Sequence, residues 1–119
     1  SEAVMADNSK PVYLKLRDII AASILDGVYA EGDMLPSVRA FAAEQQANPL
    51  TVAKAYQMFQ DQGLVEVQRG VGMYVAPGAV DKLRAMERED FLQHVWPPVL
   101  RQMRRIGLSP AALLDEEKA

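Results

Sequence analysis

Between residues 37 and 69 stand six side chains able to hold a polyanion: Ser37, Arg39, Thr51, Lys54, Gln57 and Arg69. An arginine fork meets two phosphate oxygens or the edge of a guanine, and a lysine ammonium supplies a point charge. Hydroxyls bond single phosphate oxygens, and amides such as Asn48 and Gln57 pair with base edges. Leu50 and Ala53 lie among them and can touch a thymine methyl, and Gly70 beside Arg69 permits close backbone approach. The chemistry these types share is contact with duplex DNA. A plainer role competes at four positions: Ser37 as a helix cap, Arg39 as a surface arginine, Leu50 as the apolar cap of a turn, and Arg69 as a solvated hairpin tip.

The elements that position them follow from periodicity. Ser37 to Gln45 sets Val38, Phe41 and Ala42 one helical turn apart, a short helix with one buried edge. Gln46-Ala47-Asn48-Pro49 interrupts it, and Pro49 suits the first turn of a new helix. Val52, Ala55, Tyr56 and Phe59 then repeat at helical spacing, turning Leu50, Thr51, Ala53, Lys54 and Gln57 outward. Gly63 supplies a left-handed cap. Leu64–Val67 and Gly72–Val75 read as two strands around Gln68-Arg69-Gly70-Val71, with Val75 pointing into the core. Two short helices across a tight turn and a hairpin with a basic tip make a winged helix-turn-helix. Upstream, Pro11 opens a first helix whose stripe is Leu16, Ile19, Ile20 and Ile24, leaving Lys15, Arg17 and Asp18 in solvent. Met34 and Leu35 are expected in the core, with a single strand rung there meeting the wing.

At these residues the chain resembles the GntR family of bacterial transcription regulators. The matching pieces are Pro11-Val12-Tyr13, Gly27-x-Tyr29-x-x-Gly32-x-x-Leu35-Pro36-Ser37-x-Arg39, Thr51-Val52-x-x-Ala55-Tyr56, Gly63-Leu64 and Arg69-Gly70-x-Gly72-x-Tyr74-Val75. The short C-terminal extension is similar to that of the YtrA-type branch. The resemblance implies a dimeric repressor, and it implies that Arg39 contacts DNA. The chain departs from many relatives at Pro49, Leu50 and Ala53, where they carry an arginine or a polar residue, so base specificity does not follow from the motif.

Composition bounds the alternatives. Half of the 119 residues are hydrophobic, enough for a core, and there is no cysteine, which removes disulfides, thiolate metal sites and cysteine nucleophiles. That fits a cytoplasmic protein. No stretch reaches the ~20 apolar residues of a membrane span. The net charge of −3 is unhelpful to a DNA reading, with six Lys/Arg against nine Asp/Glu through residue 78, but phosphate neutralisation is local. Arg39, Lys54 and Arg69 fall where DNA is expected. His94, the one histidine, has no ligand set beside it, and Gly70-x-Gly72 lacks the following helix of a phosphate loop. No catalytic constellation, metal site or cofactor is expected.

Residues 1–10 read as a flexible lead, 11–77 as the winged helix-turn-helix and 78–119 as a helical dimerisation segment, mainly α with a small β-hairpin. Leu92, Val95, Trp96, Val99, Met103 and Ile106 keep one phase through Pro97-Pro98, so a kinked long helix is expected, with Leu100 on the same apolar side and Arg101, Arg104 and Arg105 opposite. Ser109-Pro110 starts a last short helix. Such a stripe is too apolar for water on a thin appendage. Homodimerisation covers it, and a two-fold dimer presents two recognition helices to a palindromic site; packing on the chain's own first helix is the competing solution. The expected partner is double-stranded operator DNA, with a small-molecule effector unknown. A winged-helix protein-interaction module without DNA is the alternative, one with no reason to place cations at Arg39, Lys54 and Arg69 together.

Overall fold

The computed structural model describes residues 10–118; most of the expected N-terminal lead, residues 1–9, lies outside them. Contacts divide the chain into two compact units at Arg84/Ala85. The first contains α1 (Val12–Leu25), α2 (Val38–Gln45), α3 (Pro49–Asp61), β1 (Val65–Gln68), β2 (Gly72–Val75) and the opening turns of α4 (Ala79–Asp90). The second carries the rest of α4, a π-helical turn (Phe91–Val95), α5 (Trp96–Arg105) and α6 (Pro110–Lys118).

In the first unit α3 is the central element. Val52, Ala55, Tyr56 and Phe59 are buried as one stripe, covered by Leu16, Ile20 and Ile24 of α1 and Phe41 and Ala42 of α2. β1 and β2 pair antiparallel with Val65 opposite Val75 and Gln68 opposite Gly72, and Leu64 and Val75 close the core beneath them. Met34 forms the expected rung, a bridge to Tyr74.

Two expectations fail here. Arg17 is buried at 8 % exposure while Ile19 is 40 % exposed. The stripe is carried by the spacing-of-four set Leu16, Ile20, Ile24, which turns position 17 toward α3. There the planar guanidinium lies 5.7 Å from the centre of the Phe59 ring, a face that accepts a cation while the aliphatic stem packs. Met34 is likewise 51 % exposed rather than core. On an extended rung neighbours point to opposite sides, so Leu35 goes in and Met34 out.

In the second unit the helical run continues through the prolines as expected, α5 being regular from Trp96 to Arg105, but a π turn rather than a simple kink precedes them. Pro97 and Pro98 have no N–H to return to the carbonyls of Gln93 and His94. The backbone accommodates this by widening before them, and the Trp96 N–H bonds to the Phe91 carbonyl five residues back. The chain does not break there: one extra residue enters the turn and the helix runs on. Gly107, at φ +72°, ends α5, and the Ser109 hydroxyl accepts from Ala112 N at 3.2 Å to cap α6.

Candidate nucleic-acid interface

The turn between α2 and α3 is built from caps. Gln46 takes a left-handed conformation (φ 54°, ψ 44°) that closes α2. Asn48 spends its side-chain oxygen on Leu50 N at 2.8 Å, which starts α3, with Pro49 at the first helical position. Asn48 thereby shapes the turn rather than leaving its whole amide for a base. Ser37 accepts from Ala40 N at 3.1 Å and so caps α2; its proton is left to donate. The two alternatives for Ser37, cap and phosphate donor, are compatible in one hydroxyl.

From this frame α3 turns Leu50, Ala53, Lys54 and Gln57 into solvent, with Thr51 half-buried and Leu50 80 % exposed. Lys54 is not a free cation: its ammonium stands 4.0 Å from the centre of the Tyr13 ring of α1, which aims it. Gln57 donates to Asp61 Oδ1 at 2.8 Å along its own helix, so its amide nitrogen is engaged and its oxygen is not. Arg39 and Arg69 are exposed, and neither is tied into an ion pair among the described residues.

The wing and the start of α2 face each other across an open groove of about 600 Å³. Ser37 and Val38 line one side and Arg69, Gly70 and Val71 the other, over a floor that includes Leu35 and Tyr56. The Tyr56 hydroxyl donates to the Pro36 carbonyl at 2.7 Å and so ties α3 to the residue preceding the Ser37 cap. Burial pushes the Tyr56 phenol well above its usual value, with Tyr29 and Glu44 adding to the effect, so it stays a neutral donor. A Cβ on Gly72 would stand 2.6 Å from the Met34 sulfur, so a side chain there would require the exposed Met34 to swing aside.

The expected dimerisation residues fall into two groups. Leu92, Val95, Val99 and Ile106 are exposed, the last at 65 %, with Trp96 and Leu100 half-buried. Met103 differs: at 5 % exposure it is already covered within the chain. Phe91, which the spacing did not single out, is exposed beside Leu92 at the start of the π turn. Tyr13 was also missed as the partner of Lys54, and its half-buried ring offers no periodic signal. Arg101, Arg104 and Arg105 are exposed, and His94 stands alone; among the described residues no metal-binding cluster forms. No described helix is long and apolar enough to cross a membrane.

With this geometry in place, the comparison with known proteins is direct. Residues 12–75 match the family model of the bacterial regulatory proteins of the gntR family. The chain is 33 % identical over 110 residues to the HTH-type transcriptional regulator YhcF of Bacillus subtilis, covering 91 % of this chain and 88 % of that one. It is 39 % identical over 72 residues to the HTH-type transcriptional repressor YtrA of Bacillus subtilis, covering 60 % of this chain and 55 % of that one. A GntR family transcriptional regulator from Listeria monocytogenes superposes with a TM-score of 0.72 at 25 % identity, over 92 % of this chain and 95 % of that one. The chain belongs to the gntR family: it is a transcription regulator with a DNA-binding winged helix-turn-helix. Its likeness to YtrA and YhcF agrees with the resemblance read from the motifs.

Proposed function

We propose that the chain is a homodimeric, cytoplasmic transcription repressor that holds a palindromic operator. In this reading residues 11–77 contact the DNA and residues 78–119 join the two copies. The observation that carries it is the pairing of two unsatisfied surfaces. One is the outward side of α3 with the Ser37 cap and with Arg39 and Arg69, which form no ion pair among the described residues. The other is the uncovered apolar face from Phe91 to Ile106. The similarity to YtrA, a transcriptional repressor, supports repression.

The roles divide by geometry. Thr51, Lys54 and the Gln57 oxygen stand where α3 would enter a major groove, and Leu50 and Ala53 offer apolar contact to thymine methyls. Arg39 and the Ser37 proton suit phosphates, and Arg69 with Gly70 suits the adjacent minor groove, whose negative potential attracts arginine. Asn48 acts first through its cap.

The test is a mobility shift with duplexes selected from a random pool, repeated across salt concentrations. Three cations in each of two subunits give about six contacts and a slope of log K against log salt near −5. Arg39→Ala and Arg69→Ala each make that slope shallower. Salt-insensitive binding, or unchanged affinity in both variants with the fold intact by circular dichroism, overturns the assignment of these residues.

A further inference from the structure

The turn at residues 30–33 is stitched on both sides. Within it, Asp33 N bonds to the Ala30 carbonyl and the Asp33 carboxylate accepts from Ala30 N, each at 2.9 Å. Outside it, Gly32 N bonds to the Val75 carbonyl at 2.8 Å and Val75 N returns a bond to the Asp33 carbonyl at 2.9 Å, so the turn is fastened to the outgoing strand of the wing. This presents Glu31 to a segment far along the chain. Its Oε1 accepts from Gly78 N at 2.7 Å and its Oε2 from Val80 N at 3.3 Å.

Those amides open α4. Four N–H groups at a helix start have no partner within the helix. Here Ala79 N is taken by the Ala76 carbonyl and Gly78 and Val80 by one carboxylate, a cap supplied from 47 residues away. The same opening turns bury Ala79 and Leu83, and the Lys82 ammonium stands 3.2 Å from where a Cβ on Gly63 would be, at the carbonyl end of α3. Gly78, whose N–H makes the shorter of the two bonds, stands at φ +79°, in the left-handed region that glycine adopts without strain.

Glu31 is exposed, so its hydrogen bonds contribute little to global stability. Two bonds from one planar group fix a direction instead. We infer that Glu31 is a positioning residue: by clamping the first turn of α4 to the wing-bound turn, it sets the direction in which the chain leaves the DNA-binding unit, and with it the half-site spacing the dimer accepts. This rests on the dimeric operator reading above. Half-site spacing is a geometric property of a symmetric binder, so it reports the direction of α4 where single-site affinity does not.

The experiment uses the full chain and duplexes carrying two copies of its selected half-site, with spacing varied one base pair at a time. The wild type is expected to prefer one spacing by about tenfold or more, the equivalent of a well-fixed geometry. Glu31→Ala flattens that preference to within about threefold while leaving single-half-site binding unchanged. Glu31→Gln, which keeps an acceptor for Gly78 N, retains most of it. Amide hydrogen exchange without DNA checks the clamp itself: residues 78–83 exchange about tenfold faster in Glu31→Ala, with α3 unaffected. A Glu31→Ala spacing profile that superposes on the wild type overturns the inference, as does unchanged exchange at residues 78–83. A wild type with no spacing preference overturns the dimeric reading and the inference with it, and is told apart because the preference is then missing before any substitution is made.

Discussion

Helix α3 and the stretch from Phe91 to Ile106 place apolar residues at the same three-and-four spacing, with opposite outcomes. In α3 the stripe of Val52, Ala55, Tyr56 and Phe59 is sealed by two other helices of the same chain. In the C-terminal stretch Phe91, Leu92, Val95, Val99 and Ile106 face solvent. Periodicity therefore specifies that a helix has an apolar face and is silent on what covers it. The cover of α3 is legible only because α1 and α2 carry complementary stripes of their own. The C-terminal face has no such complement among the described residues of its own unit, and a second copy is the cover proposed for it.

The sharpest way to break this comparison is to truncate the sealed stripe. Phe59→Ala removes a fully buried ring that also underlies the Arg17 guanidinium, and is expected to cost about 3–5 kcal/mol in denaturant unfolding. A loss below about 1 kcal/mol would mean that α3 is not the centre of the core. The open stripe is expected to behave in the other way. Leu92→Asp is expected to leave the helical circular dichroism unchanged but to sediment as a monomer at concentrations where the proposed wild-type dimer forms. A persisting dimer removes the face from Phe91 to Ile106 as the interface.

Smaller effects sharpen the picture within the sealed side. Tyr56→Phe loses the hydrogen bond to the Pro36 carbonyl and is expected to cost about 1 kcal/mol. Burial raises this phenol above its ordinary value near 10, so the folded chain keeps its proton where the unfolded chain has lost it. Its stabilising effect is complete below about pH 10 and declines as pH rises further. Thermal unfolding on either side of that pH should show a smaller alkaline loss in Tyr56→Phe than in the wild type. The smallest effect is at Gln46, whose left-handed backbone costs a residue with a side chain. Gln46→Gly is expected to stabilise by about 0.5 kcal/mol, the strain relieved less the extra entropy of glycine, read as a small rise in Tm.

The elements were legible where their signals are local. Ser37, Pro49, Gly63, Gly107 and Ser109 act on their own backbone within a few residues, so helix starts and stops could be read from them. The wing and the outward set on α3 follow from alternation and spacing. What stayed hidden depends on distant partners. Arg17 and Ile19 exchange roles because the Phe59 ring, 42 positions on, presents a face to one of them. Lys54 is held by Tyr13, and Glu31 by amides at positions 78 and 80, pairings that no window of sequence contains. The π turn was missed for another reason: a proline's effect falls on the carbonyls four residues earlier, so Pro97-Pro98 remodel Phe91–Val95 rather than their own position.

The half-buried Trp96, set directly after that π turn, has a practical consequence. It is the sole tryptophan, and all four tyrosines (Tyr13, Tyr29, Tyr56 and Tyr74) belong to the unit that ends at Arg84. The chain's natural fluorophores are thus sorted by unit. Red-edge excitation reads the C-terminal stretch alone, and tyrosine emission arises only in the unit that ends at Arg84. Events at the DNA face and events at the apolar face can be followed in one unlabelled sample as two separate colours of emission.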